Sequence, residues 1–138
     1  MPYFINPVKA DQCVFVTYEG KLTRVEIMAA RYEANELLSM KGWNRIVVDF
    51  TELTSVPTAL DLIDLASDLS SDLPRSTRIA LVVRPDQVKD AKLVESIARI
   101  EGVFLTYFFE IEEATIWAKR MSINERIKPQ CEGNSARV

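Results

Sequence analysis

The chain contains no histidine, two cysteines and four glycines among its 138 residues. Without histidine it lacks the commonest general base at neutral pH and the commonest metal ligand. Cys13 and Cys131 form no CxxC pair, so neither a disulfide framework nor a zinc site is expected. There is no GxxxxGK(S/T) phosphate loop, no GxGxxG dinucleotide fingerprint and no GxSxG nucleophile elbow. Apolar runs such as Ile46–Val48 and Ile79–Val83 fall far short of the ~20 residues that cross a bilayer, so no transmembrane segment is expected. The start, Met1-Pro2-Tyr3-Phe4-Ile5-Asn6-Pro7, has no basic stretch followed by an apolar one, so no secretory signal is expected either. The expected location is cytoplasmic.

What the chain does have is the composition of a folded domain. Apolar residues make up 48% and charged residues 27%, enough to bury a core at this length without covalent staples. The net charge is −3. It divides unevenly, with six basic against ten acidic residues in 1–70 and eleven against ten in 71–138. Neither half is a basic block, which argues against a nucleic-acid partner.

Two apolar segments, Tyr3–Val8 and Cys13–Tyr18, flank a short polar turn and predict a hairpin. Glu19-Gly20-Lys21-Leu22 leads to Thr23, which with Glu26 forms a capping box. Ile27, Ala30, Ala34, Leu37 and Leu38 continue at helical spacing until Gly42. Arg45–Phe50 does not alternate, as expected of a strand covered on both faces. A loop is expected over Thr51–Pro57. A second helix follows from Thr58, with Leu62, Leu65, Ala66 and Leu69 inward. Arg78–Val83 reads as another buried strand, Val88–Glu101 as a helix stopped by Gly102, Val103–Phe108 as a strand and Ile111–Met121 as a last helix. The order ββαβαβαβα predicts one α/β domain over residues 1–122: a five-stranded, mixed, mostly parallel sheet with four helices. Residues 123–138 read as a polar, flexible C-terminal tail.

Three features carry candidate function. Asp49 sits near the carboxyl end of a parallel strand, where ligands of open α/β sheets gather. Thr51, Thr54, Ser55 and Thr58 follow it into a helix N-terminus, a setting that accepts anions; the same hydroxyls also serve to cap their own backbone. Asp61, Asp64, Asp68 and Asp72 fall on one side of the second helix and make either a docking stripe for a basic partner or an ordinary solvated face. A straight helix spreads its carboxylates, so no metal site is expected. Eight aromatic residues (Tyr3, Phe4, Phe15, Tyr18, Phe104, Tyr107, Phe108 and Phe109) lie in or beside the outer strands, as core or as the lining of an apolar pocket.

Tyr18–Thr23 before a long helix, Trp43–Phe50, Arg78–Val83 and Glu112–Ala118, in that order, resemble the SpoIIAA-like branch of the STAS superfamily over roughly residues 3–120. The resemblance implies a mixed sheet packed with four helices, an architecture related to the lipid-carrying CRAL-TRIO domains. The best-known members are anti-sigma-factor antagonists, switched by phosphorylation of a serine in an Asp-Ser-Ser-Gly turn at the start of the second helix. That turn falls here on Pro57-Thr58-Ala59-Leu60. Ala59 occupies the phosphoacceptor position and Leu60 replaces the glycine, leaving Thr58 or Ser55 as candidate modification sites.

The resulting expectation is a non-catalytic module, with no cofactor, that binds a protein partner or itself through Asp49, Thr51, Ser55, Thr58, Asp61, Asp64 and Asp68. The exposed edge of the first hairpin offers one route to self-association. The alternative is a carrier or sensor of an apolar small molecule held against the aromatic strands.

Overall fold

Helix α1 (Arg24–Lys41) begins and ends where its own residues dictate. Thr23 Oγ1 accepts from the Glu26 backbone N–H at 3.2 Å, and Glu26 Oε1 accepts from the Thr23 N–H at 2.9 Å. The pair satisfies N–H groups that the first turn leaves without helical acceptors. At the far end Gly42 adopts φ 70° and donates its N–H to the Leu38 carbonyl. That left-handed cap is one that side chains with a Cβ resist.

The computed structural model describes residues 3–21, 23–55 and 76–120. They form β1 (Tyr3–Val8), β2 (Cys13–Lys21), α1, β3 (Arg45–Ser55), β4 (Arg78–Val82), a 3-10 turn (Pro85–Gln87), α2 (Val88–Ile100), β5 (Phe104–Phe108) and α3 (Ile111–Ala118). The sheet order is β1-β2-β3-β4-β5. β1 and β2 form the antiparallel hairpin, with Tyr3 opposite Tyr18 and Val8 opposite Cys13. All other neighbours are parallel. The α/β architecture and the mixed, mostly parallel five-stranded sheet are thus as expected. Among the described residues there are three α-helices; the expected helix from Thr58 lies outside them.

The sheet advances in one direction, so right-handed crossovers place α1 and α2 on the same face. There Val14, Val16 and Ile46 pack under Ile27, Ala30, Ala34 and Leu38 of α1. Ile79, Leu81, Val83 and Leu105 pack with Ala91 and Ala98 of α2. Val48 and Phe50 touch both groups and join them. On the opposite face Cys13, Val47, Ala80 and Val82 meet Ala114 and Ala118 of α3. Helices on both faces explain why β3 and β4 read as unbroken apolar runs. β1 is an edge strand, and Pro7 within it removes one donor from that edge.

One element differs from the sequence expectation. Thr51–Ser55 is not loop: β3 continues through it, and β2 lengthens to Lys21 alongside. Glu19 pairs with Glu52, Gly20 with Leu53 and Lys21 with Ser55. Register shifts between Thr17 and Glu19 and between Gly20 and Lys21 insert extra residues into β3, which destroys the simple alternation. The β-branched threonines suit extended backbone, so hydroxyl content alone was a poor guide.

Candidate functional site

The lengthened β3 creates a problem at the carboxyl edge of the sheet. β4 stops at Val82, level with Asp49, while β3 runs on to Ser55, and among the described residues no strand lies beside it on that side. Buried carbonyls left without donors are costly. The turn that follows β4 supplies the donors. Arg84 Nη1 donates to the carbonyls of Thr51 at 2.7 Å and Leu53 at 3.0 Å. Gln87 Nε2 donates to the Phe50 carbonyl at 3.0 Å.

This clamp is itself held in place. Gln87 Oε1 accepts from the Arg84 N–H at 2.8 Å, and Gln87 is only 5% exposed. Asp86 takes the other arm of the guanidinium, at 2.9 Å to Nε and 3.3 Å to Nη2. The Arg84 hydrogen bond holds the Asp86 carboxyl below its ordinary range, and Asp86 raises the guanidinium in turn. The strand expected to Val83 and the helix expected from Val88 leave Arg84 and Gln87 without a role. A signal was available: Pro at the first position of a short turn, with an amide three residues after Arg84, places a side-chain acceptor for the Arg84 N–H.

The predicted site residues are only partly gathered. Asp49 is half-buried, and its Oδ1 accepts from the Thr51 N–H at 2.8 Å and the Thr51 hydroxyl at 2.6 Å. Its carboxylate is thus turned onto its own strand. Thr54 is exposed, and Ser55 closes β3. Thr58, Asp61, Asp64, Asp68 and Asp72 lie outside the described residues. Asp49 and Thr51 therefore lie within β3, level with or just past the end of β4, beside the clamp on the carbonyls of Phe50, Thr51 and Leu53.

The aromatic residues divide. Tyr3 and Tyr18 are buried and meet edge to face at 6.4 Å, with Phe50 on Tyr18 at 5.5 Å. Phe108 packs on Trp117 at 5.8 Å and Tyr107 on Phe109 at 6.1 Å. Phe4, Phe104 and Phe109 are exposed. An open, mostly apolar groove of about 610 Å³ runs along α3, lined by Phe15, Ile111, Glu112, Thr115, Ile116 and Lys119. Lys119 is tied to Asp11 at 2.8 Å.

Cys13 is fully buried, and burial pushes its thiol up to about 12, with Asp11 adding to the effect. A thiol that stays protonated is no nucleophile at neutral pH. No group of three or more metal-ligating side chains occurs among the described residues. No helix among them is long and apolar enough to cross a membrane.

No protein-family model matches the chain, and the search of curated proteins found no match. A solved structure does match. The crystal structure of an anti-sigma factor antagonist from Mycobacterium paratuberculosis covers 86% of this chain and 95% of its own, with a TM-score of 0.60 at 14% sequence identity. The chain has the fold of an anti-sigma factor antagonist. The resemblance to SpoIIAA-like STAS proteins therefore holds at the level of the fold, although few residues are shared.

Proposed function

We propose that this chain is a non-catalytic regulatory module that binds a protein partner through the segment from Asp49 to Asp72. The observation that carries the reading is the likeness in fold, over nearly the whole chain, to a protein whose task is antagonism of an anti-sigma factor. Two features support it. The clamp of Arg84 and Gln87 fixes the backbone that leads into the segment. The segment itself carries Asp61, Asp64 and Asp68 at the spacing of one helix side, suited to a basic surface. On this reading Thr58 is the modification site, the location is cytoplasmic, the folded unit spans residues 1–122 and residues 123–138 are a tail. Immobilised chain and a variant with Asp61→Lys, Asp64→Lys and Asp68→Lys test it side by side. A protein retained by the first and lost by the second, with unchanged far-UV circular dichroism, supports the segment. Equal retention rejects it.

The groove along α3 favours a second reading, as a carrier of an apolar small molecule. Trp117 packs nearby on Phe108, so fatty-acid or phospholipid titrations should give a saturable change in its fluorescence if that reading holds. A flat response rejects it.

A further inference from the structure

Helix α3 covers only part of its side of the sheet. Cys13, Val47, Ala80 and Val82 lie beneath it, while Phe15 is only partly buried at its flank. On the same face Phe4, opposite Thr17 on β1, is 53% exposed. The groove of about 610 Å³ beside α3 thus has sheet on one side and helix on the other. Its helical wall is Ile111, Glu112, Thr115, Ile116 and Lys119, which recur every three or four residues along one side of α3. Ile111 and Ile116 are 40% and 63% exposed there. An apolar stripe left open beside a partly covered sheet marks a contact surface.

Position, spacing and charge point to one occupant. The chain leaves α3 at the groove's own end: Lys119, tied to Asp11, lines that end, and residues 121–138 follow Arg120 directly. The next large apolar residues after Met121 are Ile123 and Ile127. A separation of four puts both on one side of the chain, whether it is extended or turns once as a helix. From Glu112 to Lys119 α3 rises about 11 Å, and two residues four apart span about 13 Å in an extended chain. A reversal at Met121-Ser122 therefore sets Ile123 beside Thr115 and Lys119, and Ile127 beside Ile111. Glu112 lines that far end, in an acidic first turn with Glu110 and Glu113. Among the described residues none of these three carboxylates has an ion pair. Arg126 and Lys128 flank Ile127 and carry the opposite charge to Glu112.

We propose that the start of the C-terminal tail, Ile123 to Lys128, returns along α3 and fills this groove, with Ile123 and Ile127 inward and Arg126 and Lys128 toward Glu112. The groove shares no residue with the Asp49–Asp72 segment, so the proposal stands or falls apart from the partner-binding reading. It assigns to the chain itself the space that a carrier would give to a small molecule.

The two cysteines make a selective test possible. Cys13 is fully buried, so a nitroxide maleimide is directed to Cys131, four residues past Ile127. Paramagnetic broadening of backbone amides is then read at both ends of α3 in the full-length, 15N-labelled chain. A filled groove broadens Ile111 and Glu112 more than Lys119 and Arg120, although the latter are nearer in sequence. Ile127→Asp should lower the docked population at least about tenfold and reverse that order. Arg126→Glu combined with Lys128→Glu should lower it about two- to fivefold. Broadening that is strongest at Arg120 in the unaltered chain overturns the proposal, and so does an order indifferent to Ile127→Asp. Mixing spin-labelled chain with 15N-labelled chain that carries no nitroxide separates two other occupants. Far-end broadening in that mixture assigns the groove to a second copy's tail. Saturable filling of the groove by a fatty acid, at unchanged far-end broadening, assigns it to a small molecule. Either result overturns the proposal.

Discussion

Replacing Gln87 with Met removes the amide of the clamp while keeping the length of the side chain. Two groups then lose their partners: the Phe50 carbonyl, bonded at 3.0 Å, and the Arg84 N–H, bonded at 2.8 Å. Gln87 is 5% exposed, so water cannot readily replace the amide. Each buried polar group left unpaired costs about 1–3 kcal/mol, partly offset by the better burial of Met, for a net loss of about 2–3 kcal/mol. For a domain of this size that lowers the melting temperature by roughly 6–10 °C. Hydrogen exchange should localise the effect, with the backbone amides of residues 50–55 losing protection more than those of α1. Gln87→Glu should be worse than Gln87→Met, because it points an oxygen at the Phe50 carbonyl. A loss below about 0.5 kcal/mol, the scale of an ordinary surface substitution, with unchanged exchange in residues 50–55, would refute the view that Gln87 holds the end of β3.

The remaining predictions concern local elements. The Cys13 thiol is pushed from 9.0 to about 12 in the folded chain, so above the lower value it ionises only on unfolding. Stability from this group is complete below the lower value and declines toward the upper one, by up to about 1.4 kcal/mol per pH unit. Urea melts at neutral pH and near about pH 10 should show that Cys13→Ala, although less stable at neutral pH, has the shallower alkaline slope; parallel slopes would contradict this. Thr23→Ala removes the hydroxyl half of the capping box, leaving Glu26 on the backbone N–H of residue 23, and should cost about 1 kcal/mol in a chemical melt. Gly42→Ala has open space for its methyl group, so its loss of about 1 kcal/mol should reflect only the left-handed backbone at φ 70°. A neutral result would mean that the cap relaxes elsewhere.

The elements legible in the sequence were those in which one local rule decides. Thr23 with Glu26 and Gly42 marked both ends of α1, and the unbroken apolar runs of β3 and β4 announced a sheet covered on both faces. The lengthening of β3 was hidden because register shifts against β2 erase the period that a strand normally shows. The clamp was hidden for a different reason. Arg84 and Gln87 act on the carbonyls of Phe50, Thr51 and Leu53, more than thirty residues away, and such pairings exist only once the sheet has formed. Asp49 was expected at the carboxyl end of its strand, yet β3 runs six residues beyond it, and its turn toward Thr51 depends on side-chain geometry.

Native mass spectrometry beside denaturing mass spectrometry, on one gently purified sample, tests the central claim most directly. A protein-binding module predicts the bare chain, multiples of it, or the chain with a second polypeptide. Additional small-molecule mass that disappears on denaturation would contradict that claim and establish the chain as a carrier.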